Sequence, residues 1–197
     1  RPERRNAMSL AMVLELREAL AGAEGDGTTR AVVLRGSGGH FCAGGDIADM
    51  AAARQKLAGN ANALVEVNAA FGELCVAYAN TGLAVLALVE GTVMGGGFGL
   101  ACVADVTLAL EDVVFRLPET GLGLVPAQVA PFLVERLGYA EAKRLAVTGA
   151  KVESQEALRL RLVHEVHVDA ESMEHAAQRV LADVLRCAPG ALASTKA

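Results

Sequence analysis

Tryptophan is absent from this 197-residue chain, and aromatic residues together make up only 4% of it. A core must therefore be filled by small aliphatic side chains, which supply much of the 53% hydrophobic content, and close backbone approaches are expected. The four cysteines, Cys42, Cys75, Cys102 and Cys187, form no C-x-x-C pair. That spacing excludes the common structural-zinc and redox motifs and reads as a reduced, cytoplasmic protein. No apolar run is long enough to span a bilayer, and no stretch reads as a signal peptide. Positive charge is short as well, with 18 Lys and Arg against 23 Asp and Glu and a net charge of −5. Non-specific nucleic-acid binding, which needs a basic face, is disfavoured. An anionic ligand would have to be held by local arginines or by backbone N–H groups. The abrupt ends, "RPERRNAM" and "STKA", read as cut.

What the chain does have is glycine, 21 in all. Residues 89–105, "VEGTVMGGGFGLACVAD", place Gly95, Gly96 and Gly97 between apolar residues, with Gly99 two positions on. Glycine there carries a conformational-entropy cost, so bare backbone must serve a purpose.

The pattern around this cluster alternates strands and helices, which defines an α/β class. Residues 9–24 place Leu10, Val13, Leu14 and Leu20 at helical spacing behind Ser9 as N-cap. Residues 30–36 read as a buried strand ending in glycine, and residues 60–80 as a long helix. Residues 83–91 read as a second buried strand, 105–110 as a third and the "VVFRLPE" stretch as a short fourth. Pro126, Gly138, Gly149 and Ser154 punctuate short helices; residues 162–168 read as a last strand and 170–187 as a last helix.

Three uses of the glycines compete. They could let a helix pack tightly on a sheet. They could be a dinucleotide fingerprint, but Gly95, Gly97 and Gly99 do not keep its spacing, and no acidic residue follows at the usual distance. Or they could open a helix whose free N–H groups meet a developing negative charge. A second stretch, "SGGHFCAGGDI", also runs from a strand through glycines to a helix start near Gly45 and Asp46. Two such turns could each lend one N–H to a single oxygen, as stabilising a thioester enolate or a tetrahedral oxyanion requires.

Four stretches, "RPERRNAM", "FCAGGDI", "EGTVMGGGFGLACVAD" and "LPETGLGLVPAQ", resemble, in order and spacing, the enoyl-CoA hydratase/isomerase (crotonase) superfamily. The resemblance covers essentially the whole chain. It implies a crotonase-like ββα spiral core over residues 1–137 and a truncated, helix-rich C-terminal part over 138–197. It also implies a homotrimer or dimer of trimers acting on an acyl-CoA thioester, without a metal or a separate cofactor. The family's N-terminal strand and last C-terminal helices, which help build the trimer and the acyl pocket, have no counterpart here.

Residue by residue, the resemblance makes the N–H groups of Gly45 and Gly96 the oxyanion donors and Glu119 the proton-transfer group. Arg4, Ala43, Gly44, Asp46, Ile47, Gly95 and Leu122 fall where the family binds substrate. Arg4 and Arg5 read equally as neighbours of the CoA phosphates and as a solvated basic patch. Asp46 reads better as a helix cap than as a base. The family's hydratases carry another glutamate three residues after the middle glycine, where this chain has Gly99. Hydration of a 2-enoyl-CoA, of a branched or glutaconyl type, is the first expectation. Double-bond isomerisation by one glutamate and non-catalytic binding of CoA esters are the alternatives. Among the remaining groups, His40 reads as a loop histidine and Cys42 as a small buried residue without a basic partner. His164 and His167, three apart on a strand, face opposite ways and form no zinc motif.

Overall fold

The computed structural model describes residues 1–56 and 63–197. Its elements alternate as the sequence pattern predicts. Helix α1 (Leu10–Gly25) starts where Ser9 accepts a hydrogen bond from the Met12 N–H at 3.2 Å. It leads through an Asp26-centred turn to strand β1 (Ala31–Arg35). Helices α2 (Ile47–Lys56) and α3 (Ala63–Asn80) follow; the first residues of the expected 60–80 helix, 60–62, lie outside the described residues.

Two strand pairs then repeat one pattern. Strand β2 (Ala84–Val89) is buried along its whole length, crosses a turn at Gly91 and continues as β3 (Thr92–Met94), which runs into helix α4 (Gly96–Val103). Strand β4 (Val106–Leu110) crosses a similar turn into β5 (Val114–Arg116) and then a 3₁₀ turn at Glu119–Leu122. Helix α5 (Ala130–Thr148) breaks at Gly138, and β6 (Lys151–Glu153) leads into α6 (Ser154–Arg159). Strand β7 (Glu165–His167), α7 (Ala170–Arg186) and α8 (Pro189–Lys196) complete the chain.

The strands form two sheets. One is parallel, in the order β1-β2-β4-β7; the other, β3-β5-β6, is parallel between β3 and β5 and antiparallel between β5 and β6. In both the β2–β3 and the β4–β5 pass, the chain places one strand in the first sheet and the next in the second. Cys42 pairs in parallel with Val93, so the segment after β1 begins the second layer in the same way. Side chains between the layers form the main core, in which the Phe98 and Phe115 rings lie 5.2 Å apart, and α7 covers the outer face of β2 and β4.

Three expectations need correction, and two short strands add to the predicted set. Strand β1 is an edge strand, and of its residues only Leu34 is buried, because just one neighbour covers it. Leu14 is 52% exposed: Val13 and Leu20 carry the buried face of α1. Strands β3 and β6 have no counterpart in the sequence pattern, because three residues carry no usable period. Helix α7 is followed by α8, so it is not the last.

The segment before α1 acts as a strap. The Asn6 side chain, 4% exposed, donates to the carbonyls of Ser37 at 2.8 Å and His40 at 2.6 Å. The Ala43 N–H bonds Arg5 O, the Met8 N–H bonds Gly44 O and the Asp46 N–H bonds Met8 O, all at 2.8–2.9 Å. The first glycine turn is therefore shaped by residues about forty positions upstream. Asn6→Ala removes two of these bonds; it should cost about 2 kcal/mol and lower the melting temperature by roughly 5 °C, as calorimetry would register.

Candidate active site

The two glycine turns meet. Gly44 adopts a φ of +94° and Gly95 a φ of +50°, values that a side chain would strain. A Cβ on Gly44 would lie 3.1 Å from Met94 O and 3.7 Å from Gly95 Cα, so the backbones themselves touch. Gly44 and Gly95 are buried by this contact, while the next residues, Gly45 and Gly96, are only partly buried. A Cβ on either would approach the same atom, Phe71 Cε1, at 3.9 and 3.7 Å.

Strand pairing leaves these two amides free. At the Met8–Gly45 bridge, the bonds are made by Gly44 O and the Asp46 N–H, which turns the Gly45 N–H away from the pair. Gly96 is the first residue of α4, where an N–H has no intrahelical acceptor, and no side chain caps that end. Among the described residues, neither Gly45 N–H nor Gly96 N–H donates to a protein group.

Glu119 stands over this junction. Its Oε1 lies 2.9 Å from where a Cβ on Gly95 would sit, and its Oε2 is buried without a hydrogen-bond partner among the described residues. Burial raises its pKa above the ordinary glutamate value. The sequence places Glu119 seventy-four residues from Gly45; β5, paired to β3, brings it back beside the glycines.

The other predicted residues divide. Asp46 is buried, accepts from the Ala48 N–H at 2.7 Å and pairs with Arg1 at 2.6 Å; these bonds hold its pKa low and make it the cap of α2. Ala43 is half-buried in the first turn, with its N–H committed to Arg5 O. Ile47, at 79%, and Leu122, at 67%, are exposed, as is Arg4. His40 is a working part of the turn: its Nδ1 accepts the Thr92 N–H at 3.1 Å. Burial pushes the Cys42 thiol up to about 11, which keeps it protonated and inert at neutral pH.

Gly99 faces inward. A Cβ there would lie 2.7 Å from Val129 Cγ1 and 3.1 Å from Cys75 Sγ. A second carboxyl is thus shut out by packing, and the space beside Gly99 is apolar. Gly99→Glu should unfold at a melting temperature lower by roughly 8 °C or more, because overpacking and a buried charge act together, and assays should detect no gain in turnover.

Sequence reasoning did not single out Phe71, Met8 and Met50, which wall the glycines, or Asn6. Phe71 sits on a helix among apolar residues, so nothing local separates it from core. Asn6 offered a signal, as an uncharged polar residue inside the RPERRNAM stretch; in the structure its φ is +55°.

Two touching glycine turns beside a buried carboxyl, carried on two sheets, make a site built mostly of backbone. All of residues 1–197 match the family described as Enoyl-CoA hydratase/isomerase, and the chain belongs to that family, with a crotonase fold. It is similar to an enoyl-CoA hydratase/isomerase from Marinobacter aquaeolei, with 48% identity and a TM-score of 0.95 over the whole chain and 75% of that protein. It is similar to Pseudomonas aeruginosa AtuE, with 54% identity, the same TM-score and the same coverage. It is also 31% identical to the enoyl-CoA hydratase ACTT6 of Alternaria alternata over 196 residues, and spans 63% of that relative's length.

Proposed function

We propose that the protein hydrates a 2-enoyl-CoA, of a branched or glutaconyl type, with Glu119 as its only acid–base group. The observation that carries this reading is the buried, unpartnered Glu119 Oε2 above the junction of the two glycine turns. The thioester carbonyl oxygen accepts from the Gly45 and Gly96 N–H groups, and the N-terminal end of α4 favours the charge it gains. Electron withdrawal makes C3 electrophilic. Glu119, as carboxylate, takes one proton from a water whose oxygen bonds to C3. The enolate rests on the two amides until the same carboxyl returns that proton to C2. The atoms of one water are then added and Glu119 is regenerated. Ala43, Gly44, Ile47, Gly95 and Leu122 lie along the two turns and the exposed rim, where an acyl-CoA would cross. Similarity to proteins named enoyl-CoA hydratases supports the reading.

The apolar wall at Gly99 favours a second reading, double-bond isomerisation, since moving a proton from C4 to C2 needs one carboxyl and no bound water. Incubation with short, branched and dicarboxylic 2-enoyl- and 3-enoyl-CoA esters, followed by mass spectrometry, separates the two. A product heavier by one water supports hydration, and an unchanged mass with a shifted double bond supports isomerisation. Measurable ester binding without turnover of any of them rejects both and leaves a CoA-ester-binding protein.

A further inference from the structure

The far end of α4 holds a cation that has no acidic partner among the described residues. Arg136, on α5, points its guanidinium at the carbonyl end of the helix whose first residue is Gly96. Its Nη2 donates to Ala104 O at 2.6 Å, to Thr107 Oγ1 at 3.2 Å and to Ala101 O at 3.5 Å. The Thr107 hydroxyl donates to the same Ala101 carbonyl at 3.0 Å, and the Thr107 N–H donates to His164 Nδ1 at 3.0 Å. No carboxylate forms an ion pair with Arg136 among the described residues, and its Nε is buried without a partner. Asp105, next to the C-cap of α4, is bonded to Lys196 and to the Val85 N–H. Burial of Arg136 works against its charge. What offsets that cost is the negative end of a short helix, where Arg136 supplies the donor for the Ala104 carbonyl and a second donor near Ala101.

We infer that Arg136 is a positioning residue for the reaction, holding α4 from its C-terminal end so that the Gly96 N–H is fixed and polarised at the other. This rests on the reading of Gly96 as an oxyanion donor. The helix is eight residues long, with Gly95 as N-cap and Ala104 as C-cap. It contains glycines at 96, 97 and 99, so its own propensity to stay helical is poor. Its N-terminal end has no side-chain cap, because an occupied cap would block the amide that must meet the substrate. The helix can then be anchored only along its sides and at its far end. A cation there also cancels the negative pole, leaving the positive pole at Gly96 less compensated.

The test compares wild type with Arg136→Met, Arg136→Lys and Thr107→Val, using isotope-edited infrared spectra of a bound, carbonyl-labelled enoyl-CoA. In wild type the thioester carbonyl band should move to lower frequency on binding. Arg136→Met should lose most of that movement, with kcat falling roughly tenfold and KM changing by less than about twofold. Arg136→Lys should restore most of both. Thr107→Val, which removes two hydrogen bonds of the cluster and leaves the Arg136–Ala104 bond in place, should give a partial loss of roughly threefold in kcat. This second variant decides the matter if Arg136→Met does not fold. A full carbonyl shift and wild-type kcat in folded Arg136→Met, or in Thr107→Val where the former is unfolded, overturns the inference. An absent shift in wild type itself overturns the donor assignment instead.

Discussion

Replacing Glu119 by glutamine should lower turnover by roughly a thousandfold while the affinity for CoA esters stays within about twofold. The substitution keeps the size of the side chain and removes only its capacity to carry a proton between water and carbon. Binding persists because the amides of Gly45 and Gly96 and the walls around Phe71 are untouched. The same variant has a stability signature. The folded protein holds the Glu119 proton more tightly than the unfolded chain, since burial raises its pKa. As pH rises from the ordinary glutamate value through this raised one, the unfolded state sheds its proton first, and the native state loses stability. Glutamine never ionises, so Glu119→Gln should melt higher than wild type near pH 8, with the gap closing in acid. In wild type, kcat/KM should rise with pH on a limb lying above the usual glutamate range. Wild-type turnover in Glu119→Gln would mean another group moves the proton. Equal melting temperatures across the pH range would mean that the carboxyl is solvated.

Gly97→Ala should separate the two glycine turns and remove activity by more than about a hundredfold. A Cβ on Gly97 would lie 2.6 Å from Cys42 Cβ and 2.7 Å from Cys42 O, distances at which the backbones must part. The neighbouring contacts offer no relief, because Cys42 is bridged to Val93 through hydrogen bonds on both sides, from its N–H to Thr92 O and from the Met94 N–H to its carbonyl. Moving α4 away carries the Gly96 amide with it, and a donor displaced by even about 1 Å loses much of its effect. Overpacking of this kind costs about 3 kcal/mol, or a melting temperature lower by roughly 10 °C. By contrast, Gly96→Ala meets only the tip of Met8, at 2.9 Å, and the Phe71 ring, at 3.3 Å, both of which can move somewhat. It should fold better than Gly97→Ala, and melting curves of the two variants would show the order.

Much of this protein was legible residue by residue. Ser9 as the cap of α1, the buried run of β2, the start of α4 at the glycines and the strand at Val106–Leu110 all follow from local pattern. Glu119 and both glycine turns were found by motif. The motif, however, left the position of Gly99 ambiguous, since a missing glutamate could have left an open space. Val129 and Cys75 fill that space, and neither carries a local signal. Arg136 is likewise an unremarked cation on an amphipathic helix until α5 packs against the end of α4.

By itself, the sequence determined the class of fold, the order of its elements and the places where bare backbone is exposed, because period and glycine content act over a few neighbouring residues. Tertiary structure alone decided that β1 lies at an edge and that Asn6 clamps a turn more than thirty residues away. It also decided that Glu119 lies above two touching turns with Oε2 buried, and that an arginine closes the helix beneath them. These outcomes depend on which surfaces meet after the chain has wound through both sheets, and a contact between distant segments leaves no periodic trace in either one.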